Sequence, residues 1–221
     1  MTRTAVRALV PAALAAAVLT GCSAAADGDG PRDAKPAATT SPSGADKGAD
    51  TAGKAVAKGG TLGGPGSPCV LPVSFDLAAD WKPKAVTVDP DSGPGEVLAE
   101  QGPVTLVCEI DAKPAGNIGY MRVWAGDADG GTPREVLEEF IAAEQGADAV
   151  TYKEIKAGTV PATEVTYQVN NELLDESKAE RAFALTTPDG PVVVHLGGMD
   201  SQEHQEMLPA YELAKKSVRF G

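Results

Sequence analysis

The feature that most limits what this chain can fold into is a long segment without large apolar side chains. Residues 23–67 consist almost entirely of Ala, Gly, Ser, Thr, Pro, Asp and Lys, and Val56 and Leu62 are their only larger apolar residues. Such a segment cannot bury enough apolar surface to offset the loss of chain entropy on folding. The sequence therefore predicts a flexible tether over residues 22–67, with a reach of roughly 35–40 Å, and one folded domain over residues 68–221.

The excess negative charge lies in the predicted domain. Residues 68–221 contain 26 acidic and 12 basic residues, a formal charge of −14, whereas the preceding residues contain five acidic and seven basic ones. A surface this acidic is repelled by phosphate backbones and by anionic lipid headgroups. We therefore expect no nucleic-acid partner. A solvated surface is a simpler explanation of the charge than a specific basic partner.

The chain begins with a short basic and apolar leader. Arg3 and Arg7 precede an unbroken run of 12 Ala, Val, Leu and Pro residues from Ala8 to Leu19. As a helix this run covers roughly 18 Å, less than the ~30 Å hydrocarbon core of a bilayer. It therefore predicts a signal peptide over residues 1–21 rather than a membrane span.

The signal peptide ends in Leu19-Thr20-Gly21-Cys22, which resembles the lipobox of bacterial lipoproteins. The resemblance implies that diacylglycerol is attached to the Cys22 thiol and that the chain is cleaved before this residue. Two acyl chains give a stable membrane anchor, whereas one gives only marginal binding. The expected location is the outer face of the cytoplasmic membrane, or an outer membrane if the cell has one. An ordinary secretory signal with a chance cysteine is the alternative.

The predicted domain contains two cysteines, Cys69 and Cys108. Two thiols in one domain outside the cytoplasm most often form a disulfide, which here connects the start of the domain to a central strand. Two free buried thiols or a metal site are the alternatives. A metal is disfavoured because only two thiols are present and no histidine lies near them in the sequence.

Apolar alternation and turn signals predict an α+β domain, in which helices pack on a mainly antiparallel sheet of about six strands. The clearest helix begins with the capping box Thr132-Pro133-Arg134-Glu135, and Pro188-Asp189-Gly190 predicts a hairpin turn. A last helix is expected over about residues 203–216, with Pro209 marking its first turn. Strand patterns occur at 70–77, 84–89, 104–110, 118–124, 149–157, 162–169, 179–187 and 191–198.

Three stretches together resemble PsbP-like domains. They are VSFDLAADW (73–81), TPREVLEEFIAAEQGADAVTYKEIKAGTVPATEVTYQV (132–169) and VVVHLGGMDSQEHQEMLPAYELAKKSVRF (192–220). They are similar to that family's extended start, its long helix followed by a hairpin, and its late strand, closing helix and terminal aromatic residue. Actinobacterial lipoproteins of the LpqN type carry this fold behind a lipobox and a tether. The resemblance implies a PsbP-like domain over 68–221 that acts as a non-catalytic accessory or binding module, and it assigns no functional residues.

Few residues of the domain carry recognisable chemistry. His195 lies in a predicted strand and His204 at the start of the last predicted helix, and their spacing matches no metal or catalytic motif. His195 is interpreted as a sheet residue in preference to a catalytic one. Two acidic loops, with Asp89, Asp91 and Glu96 in one and Asp127, Asp129 and Glu135 in the other, fall short of the calcium-binding pattern. We therefore predict no catalytic residue, no metal ligand and no cofactor.

Three functions stay open, in decreasing order of preference. The first is a non-enzymatic accessory or binding module of the cell envelope, joined to the membrane by its lipid anchor and contacting an unknown protein or lipid. The second is a carrier of a hydrophobic envelope molecule held between sheet and helix. The third is a hydrolase whose site assembles from distant residues. Leu173 and Leu174, in the polar span 170–178, are interpreted as folding onto the sheet in preference to anchoring a partner or a lipid tail.

Overall fold

Strands dominate the part of the chain that the structure, a computed structural model, describes: residues 55–87, 99–171 and 175–220. These residues belong to one folded unit, Asp50–Gly221. The predicted signal peptide, Cys22, the predicted tether up to residue 54, and Leu173 and Leu174 lie outside them. The strands are β1 (Lys58–Leu62), β2 (Val73–Ala78), β3 (Lys82–Ala85), β4 (Glu100–Gln101), β5 (Val104–Asp111), β6 (Gly119–Ala125), β7 (Ala147–Ala157), β8 (Val160–Asn171), β9 (Glu176–Thr187), β10 (Gly190–Gly198) and β11 (Arg219–Phe220). The helices are α1 (Pro133–Ala142) and α2 (Ser201–Lys216), and a 3₁₀ turn spans Lys113–Ala115.

The strands form two antiparallel sheets. The larger sheet has eight strands in the order β3-β5-β6-β10-β9-β8-β7, with β4 also paired to β5, and the smaller has the order β1-β2-β11. The predicted α+β class with mainly antiparallel strands is confirmed. The predicted number of about six strands is wrong. Strands such as β4 and β11, of two residues each, are too short to carry the alternating apolar pattern on which sequence prediction depends.

The folded region begins before the predicted boundary at residue 67. Lys58–Leu62, inside the predicted tether 22–67, form β1 and pair with β2, where Leu62 lies opposite Phe75. Leu62 is buried in the main core, and Val56 packs against that core. The sequence KGGTL of β1 has no strand pattern of its own. The strand conformation of β1 is therefore stabilised by hydrogen bonds to β2 and by the burial of Leu62.

Each side of the large sheet is covered by a different helix. Successive side chains of a strand point to opposite sides of the sheet, so β9 and β10 contribute apolar residues to two cores. On one side, Phe183, Leu185, Val194 and Leu196 share a core with α2 and the small sheet. On the other side, apolar residues of β6, β8, β9 and β10 share a second core with α1. Its members include Trp124, Val165, Ala182, Ala184 and Val193 on the sheet and Val136, Leu137, Phe140 and Ile141 on α1.

The disulfide predicted from the sequence is present. Cys69 and Cys108 are joined, with their Cα atoms 6.0 Å apart. Cys108 belongs to β5 of the large sheet, and Cys69 lies in the connection between β1 and β2 of the small sheet. Both are buried in the main core. The bond therefore ties the two sheets together at the start of the domain.

Helix α2 begins earlier than predicted and runs through Pro209. Asp200 caps it by accepting hydrogen bonds from the backbone N–H groups of Gln202 and Glu203, both at 2.8 Å. The prediction that Pro209 marks the first turn is wrong, since Pro209 lies inside the helix. A proline there removes one backbone hydrogen bond. The buried residues around it, including Met207 and Tyr211, supply packing that offsets this loss.

Two turns between strands differ in how well the sequence marks them. The hairpin predicted at Pro188-Asp189-Gly190 is confirmed, because β9 and β10 pair with Gly190 opposite Thr187. In the polar span 170–178, predicted as a loop, the described ends are strand: β8 continues to Asn171 and β9 begins at Glu176. Backbone pairing between β8 and β9 holds these polar strand ends together, so they need no buried side chains.

Helix α1 begins with the capping box that the sequence predicts. The Thr132 Oγ1 accepts a hydrogen bond from the Glu135 N–H at 3.3 Å, and the Glu135 Oε2 accepts one from the Thr132 N–H at 2.9 Å. Replacing Thr132 by Ala is expected to lower the free energy of unfolding by about 1 kcal/mol, because the substitution removes one partner of the box. Urea denaturation measures the loss. Thr132→Ser, which keeps the hydroxyl, is the control and should lose much less.

Candidate functional site

Strand pairing brings distant residues into one row on the α1 side of the large sheet. Gly197 of β10 lies between Tyr120 of β6 and Glu180 of β9. Glu180 in turn lies opposite Tyr167 of β8. His195, two residues before Gly197, lies in the next row on the same side. Three consecutive strands, β8, β9 and β10, together with β6 from earlier in the chain, thus supply one continuous set of side chains.

Helix α1 covers this side only in part. It packs on apolar residues, and its Phe140 ring lies 5.9 Å from the His195 ring, measured between centroids. The next row of side chains, which contains Tyr120 and Gly197, lies further from α1 than His195. In this row Tyr120 is exposed and Gly197 is half-buried. We call the residues Tyr120, Lys178, Glu180, His195 and Gly197 the open end of the sheet.

A buried polar cluster forms the floor of the open end. The Tyr167 hydroxyl donates to the Glu180 Oε2 at 3.0 Å, and the His195 Nε2 lies 2.8 Å from the same oxygen. The Lys178 Nζ lies 2.6 Å from the Glu180 Oε1. Tyr167, Glu180 and His195 are buried, whereas the Lys178 side chain is partly exposed. Both oxygens of the carboxylate therefore have partners, as a buried charge requires.

The cluster fixes the ionisation of Glu180 and Tyr167. Burial alone raises the pKa of Glu180, but hydrogen bonds and charge attraction from His195 and Lys178 outweigh burial and lower it to about 2. Burial, followed by the charge of Glu180, raises the pKa of Tyr167 far above its ordinary value. At neutral pH Glu180 is thus a carboxylate that only accepts, and Tyr167 is a phenol that donates. Since Glu180 accepts, the His195 Nε2 carries a proton.

The end of α1 is connected to the same region. The Gln101 side-chain amide donates to the Phe140 carbonyl at 3.2 Å and to the Glu144 carboxylate at 3.1 Å. Burial, followed by the charge of Glu180, raises the pKa of Glu144. A second carboxylate near the cluster is therefore easier to protonate than an ordinary glutamate.

Gly197 gives the His195 and Glu180 side chains the space they occupy. A Cβ atom at Gly197 lies only 3.0 Å from the His195 Cε1 and 3.3 Å from the Glu180 Oε1. Both distances are shorter than ordinary van der Waals contacts, so any larger residue pushes against the polar cluster. Glycine at this position is explained by close approach of side chains rather than by a turn.

Replacing Gly197 by Ala is expected to lower the free energy of unfolding by about 1 kcal/mol, because the methyl group overpacks the cluster. The His195 ring signals in NMR spectra should shift, since the ring must move to make room. Gly60→Ala is the matched control, because a Cβ there meets nothing within 4 Å. Unchanged His195 signals in Gly197→Ala would show that the cluster does not depend on this space.

The interpretation of His195 as a sheet residue agrees with its position in β10, but the sequence did not reveal its partners. Tyr167, Lys178 and Glu180 belong to no common sequence motif, so the sequence alone does not connect them. The one available signal was a glutamate, Glu180, next to the apolar run of β9 on the side that faces α1. Such a residue needs a buried partner.

His204 lies apart from this cluster. It is buried in the first turn of α2, and its Nδ1 has no hydrogen-bond partner in the described part of the chain. Burial, followed by the charges of Arg181 and His195, lowers the pKa of His204 to about 4, although Glu180 and a backbone hydrogen bond with Leu196 oppose the shift. His204 is therefore neutral at pH 7.

His204 makes the domain sensitive to mild acid. Its pKa falls from 6.5 when unfolded to about 4 when folded, so the unfolded chain binds a proton first as pH falls. Stability is therefore full above pH 6.5 and declines by up to about 3 kcal/mol towards pH 4. In His204→Gln this part of the pH dependence should vanish. Urea denaturation of both proteins across the window measures the difference, and parallel pH curves would contradict the assignment.

A second buried carboxylate serves the attachment of α2. The Glu164 Oε1 accepts hydrogen bonds from the Tyr211 hydroxyl at 3.1 Å and from the Lys215 Nζ at 2.7 Å. Glu164 lies on β8, and both donors lie on α2. This arrangement connects helix to sheet within the core and presents no open face, so we do not treat it as a functional site.

A shallow cavity of about 530 Å³ lies beyond the end of α1. Its walls are mainly backbone and polar side chains, and Ala147 and Val169 are the apolar members. The lining residues are Gln145, Gly146, Ala147, Asp148, Val169, Asn170 and Asn171.

Of the two acidic loops weighed as metal sites, the one with Asp127, Asp129 and Glu135 lies within the described residues and does not form a metal site there. Glu135 is engaged in the capping box of α1. Among residues 55–87, 99–171 and 175–220, no group of three or more His, Cys, Asp or Glu side chains is placed to hold a metal ion. The first acidic loop, with Asp89, Asp91 and Glu96, and the lipid-attachment candidate Cys22 lie outside these residues.

The described residues define an antiparallel α+β domain, held by one disulfide and containing a buried ion cluster. None of the helices that they form is long and apolar enough to cross a membrane. The sequence profile of the family Lipoprotein_23, described as an uncharacterised lipoprotein, matches residues 39–218. This match covers most of the chain, and the chain therefore belongs to this lipoprotein family. No curated protein matches it. Membership in this family supports anchoring to a membrane by lipid. It does not test the resemblance to LpqN-type lipoproteins or to PsbP-like domains.

Proposed function

We propose that the chain is an extracytoplasmic lipoprotein, acylated at Cys22, whose PsbP-like domain is a non-enzymatic accessory or binding module on the outer face of the membrane. The family match supports the lipid anchor. The observation that carries the binding role is the open end of the sheet. There Tyr120 and Lys178 reach the solvent from a floor of hydrogen-bonded, buried side chains, and such rigid surfaces suit recognition.

The ionisation of the cluster supports a binding role over a catalytic one. A general acid or base works best when its pKa lies near the operating pH. The pKa of Glu180, at about 2, is far below neutrality, and the pKa of Tyr167 is far above it. Glu180 also has both oxygens engaged. These groups therefore fit a structural and recognition role better than proton transfer.

The cavity beyond α1 does not favour the alternative of a lipid carrier. Its volume of about 530 Å³ suits a small molecule, but its walls are mainly polar and backbone groups. Binding sites for apolar ligands are lined mostly by apolar and aromatic side chains. This cavity therefore does not suit a carried hydrocarbon.

Replacing Cys22 by Ser tests the anchor. The wild-type chain is expected in the membrane fraction, labelled by a palmitate analogue and shortened by signal-peptide cleavage. The variant has no thiol to acylate, so it should lose the label and keep the mobility of the precursor. Unchanged membrane fractionation and unchanged electrophoretic mobility would contradict acylation at this residue.

Chemical crosslinking on intact cells, followed by identification of the captured proteins, tests the binding role. The anchored wild-type chain is expected to give a discrete adduct with a second protein. Cys22→Ser should give less of it, because the domain is no longer held beside the partner. Turnover of ester or peptide substrates that a single substitution in the domain abolishes would contradict the non-enzymatic role.

A further inference from the structure

Three exposed apolar side chains lie together where β6 begins and β10 ends. Ile118 is 51% exposed, Tyr120 38% and Met199 60%. The Met199 N–H donates to the Ile118 carbonyl at 2.9 Å, which holds the two chain segments side by side. Three of the six large apolar residues that are exposed in the described part of the chain are thus gathered at one place. We call Ile118, Tyr120 and Met199 the apolar rim.

Carboxylates surround the apolar rim. Asp111 lies opposite Tyr120 on the neighbouring strand, and Asp200 directly follows Met199. The Glu203 Oε2 accepts a hydrogen bond from the Ile118 N–H at 2.9 Å, and the Glu206 Oε2 accepts one from the Asn117 side chain at 3.4 Å.

These carboxylates carry charge that the described residues do not neutralise. None of Asp111, Asp200, Glu203 and Glu206 forms an ion pair within the described ranges. Two nearby cations are already engaged: Arg122, whose guanidinium also lies 5.0 Å from the centre of the Tyr120 ring, pairs with Glu109 at 2.9 Å, and Lys178 pairs with Glu180. Lys113, on the 3₁₀ turn, and Lys82, opposite Asp111 on β3, are exposed bases of this region without an ion pair in the described ranges, so four carboxylates face two free bases here. The rim is therefore an apolar contact surface within a negative field.

We propose that the apolar rim docks a segment of a partner protein in which apolar side chains stand next to lysine or arginine. The inference rests on the proposed binding function and names the chemistry of its partner. Apolar contact supplies most of the affinity, and charge complementarity steers the approach and selects the partner.

The same charges argue against other occupants. An anionic lipid surface is repelled by the rim and by the whole domain, whose residues 68–221 carry a formal charge of −14. A second copy of this chain presents the same acidic surface, so like charges face each other across the contact. A cationic and apolar protein segment is the occupant that satisfies both features of the surface.

The test captures the partner segment in intact cells expressing the full chain. A photoreactive benzophenone amino acid replaces Met199 in one strain and Val70, 72% exposed on the small-sheet side, in another. Mass spectrometry then identifies the peptide joined to each position. From position 199 we expect a peptide with apolar residues beside Lys or Arg. Ile118→Ser should reduce its yield about tenfold.

Charge is tested separately with Asp111→Asn and Glu206→Gln together, since both replacements keep an oxygen that accepts hydrogen bonds. This double variant should give a lower yield that depends less on salt. Thermal unfolding must match that of the wild type for each variant. A yield that does not respond to these changes would show that charge does not select the partner.

Other outcomes separate the two proposals. Three outcomes overturn the docking site and leave the binding role standing: a captured peptide that is acidic or uncharged, capture of a second copy of this chain, or a protein adduct from position 70 as strong as that from position 199. A lipid adduct also overturns the docking site. A lipid adduct without any protein adduct favours the carrier function instead. Absence of any adduct from both positions contradicts the binding role together with the docking site.

Discussion

Glu180→Ala is expected to lose about 3–5 kcal/mol of stability, because it removes one partner of a buried ion pair. Tyr167 and His195, both buried, then lose the carboxylate to which they now donate, and only their own 3.0 Å contact between the Tyr167 hydroxyl and the His195 Nε2 remains. Glu180→Gln should lose less, since its amide oxygen can still accept one of these hydrogen bonds. Urea denaturation at neutral pH gives the free energies of unfolding of the wild type and both variants.

Glu138→Ala is the matched control for this prediction. Glu138 and Arg134 on α1 are also 2.6 Å apart, but each side chain is about half exposed. Water screens this pair, so its loss should cost less than ~1 kcal/mol. Burial, rather than distance, therefore decides the difference between Glu180 and Glu138. Equal losses in the two alanine variants would contradict the account of the cluster.

Acid should reveal the same cluster in the wild type. The pKa of Glu180 is lower in the folded chain, at about 2, than its ordinary value of 4.5. The stabilisation is thus present above pH 4.5 and is lost as pH falls towards 2. This window lies below the window assigned to His204, so the two contributions can be separated.

Removing the disulfide by Cys69→Ala together with Cys108→Ala is the second large effect. The residues are 39 positions apart, and closing a loop of that length constrains the unfolded chain by about 4 kcal/mol in the chain-entropy model. Urea denaturation of the oxidised wild type and the double variant measures the loss. Reduced wild-type protein should resemble the variant, and reductant should leave the variant unchanged. A loss below ~1 kcal/mol would show that the bond contributes little to the fold.

The sequence predicted those parts of the fold that depend on local signals. The capping box at Thr132 located the start of α1, and Pro188-Asp189-Gly190 located the β9–β10 hairpin. The Cys69–Cys108 disulfide followed from the number of thiols and the expected compartment. Each of these signals is contained in a few neighbouring residues or in a count, so no knowledge of strand order was needed.

The parts that sequence analysis missed depend on contacts between distant segments. β1 becomes a strand only because β2 offers it hydrogen bonds, and Pro209 is tolerated only because α2 is packed on both sheets. The polar cluster requires the register that places Tyr167 opposite Glu180 and His195 beside them. A shift of one residue in either pairing sends one of these side chains to the other side of the sheet. Such register cannot be read from one sequence.

The most direct test of the central claim, that the open end of the sheet and its apolar rim contact a partner, uses native electrophoresis of membranes solubilised in mild detergent. The wild type is expected in a complex larger than the single chain. Ile118→Ser with Met199→Ser should release the single chain. Val70→Ser with Phe220→Ser, which removes two other apolar residues that are at least half exposed, should leave the complex intact. A complex that survives the first pair of substitutions, or one that both pairs disrupt equally, would contradict the claim.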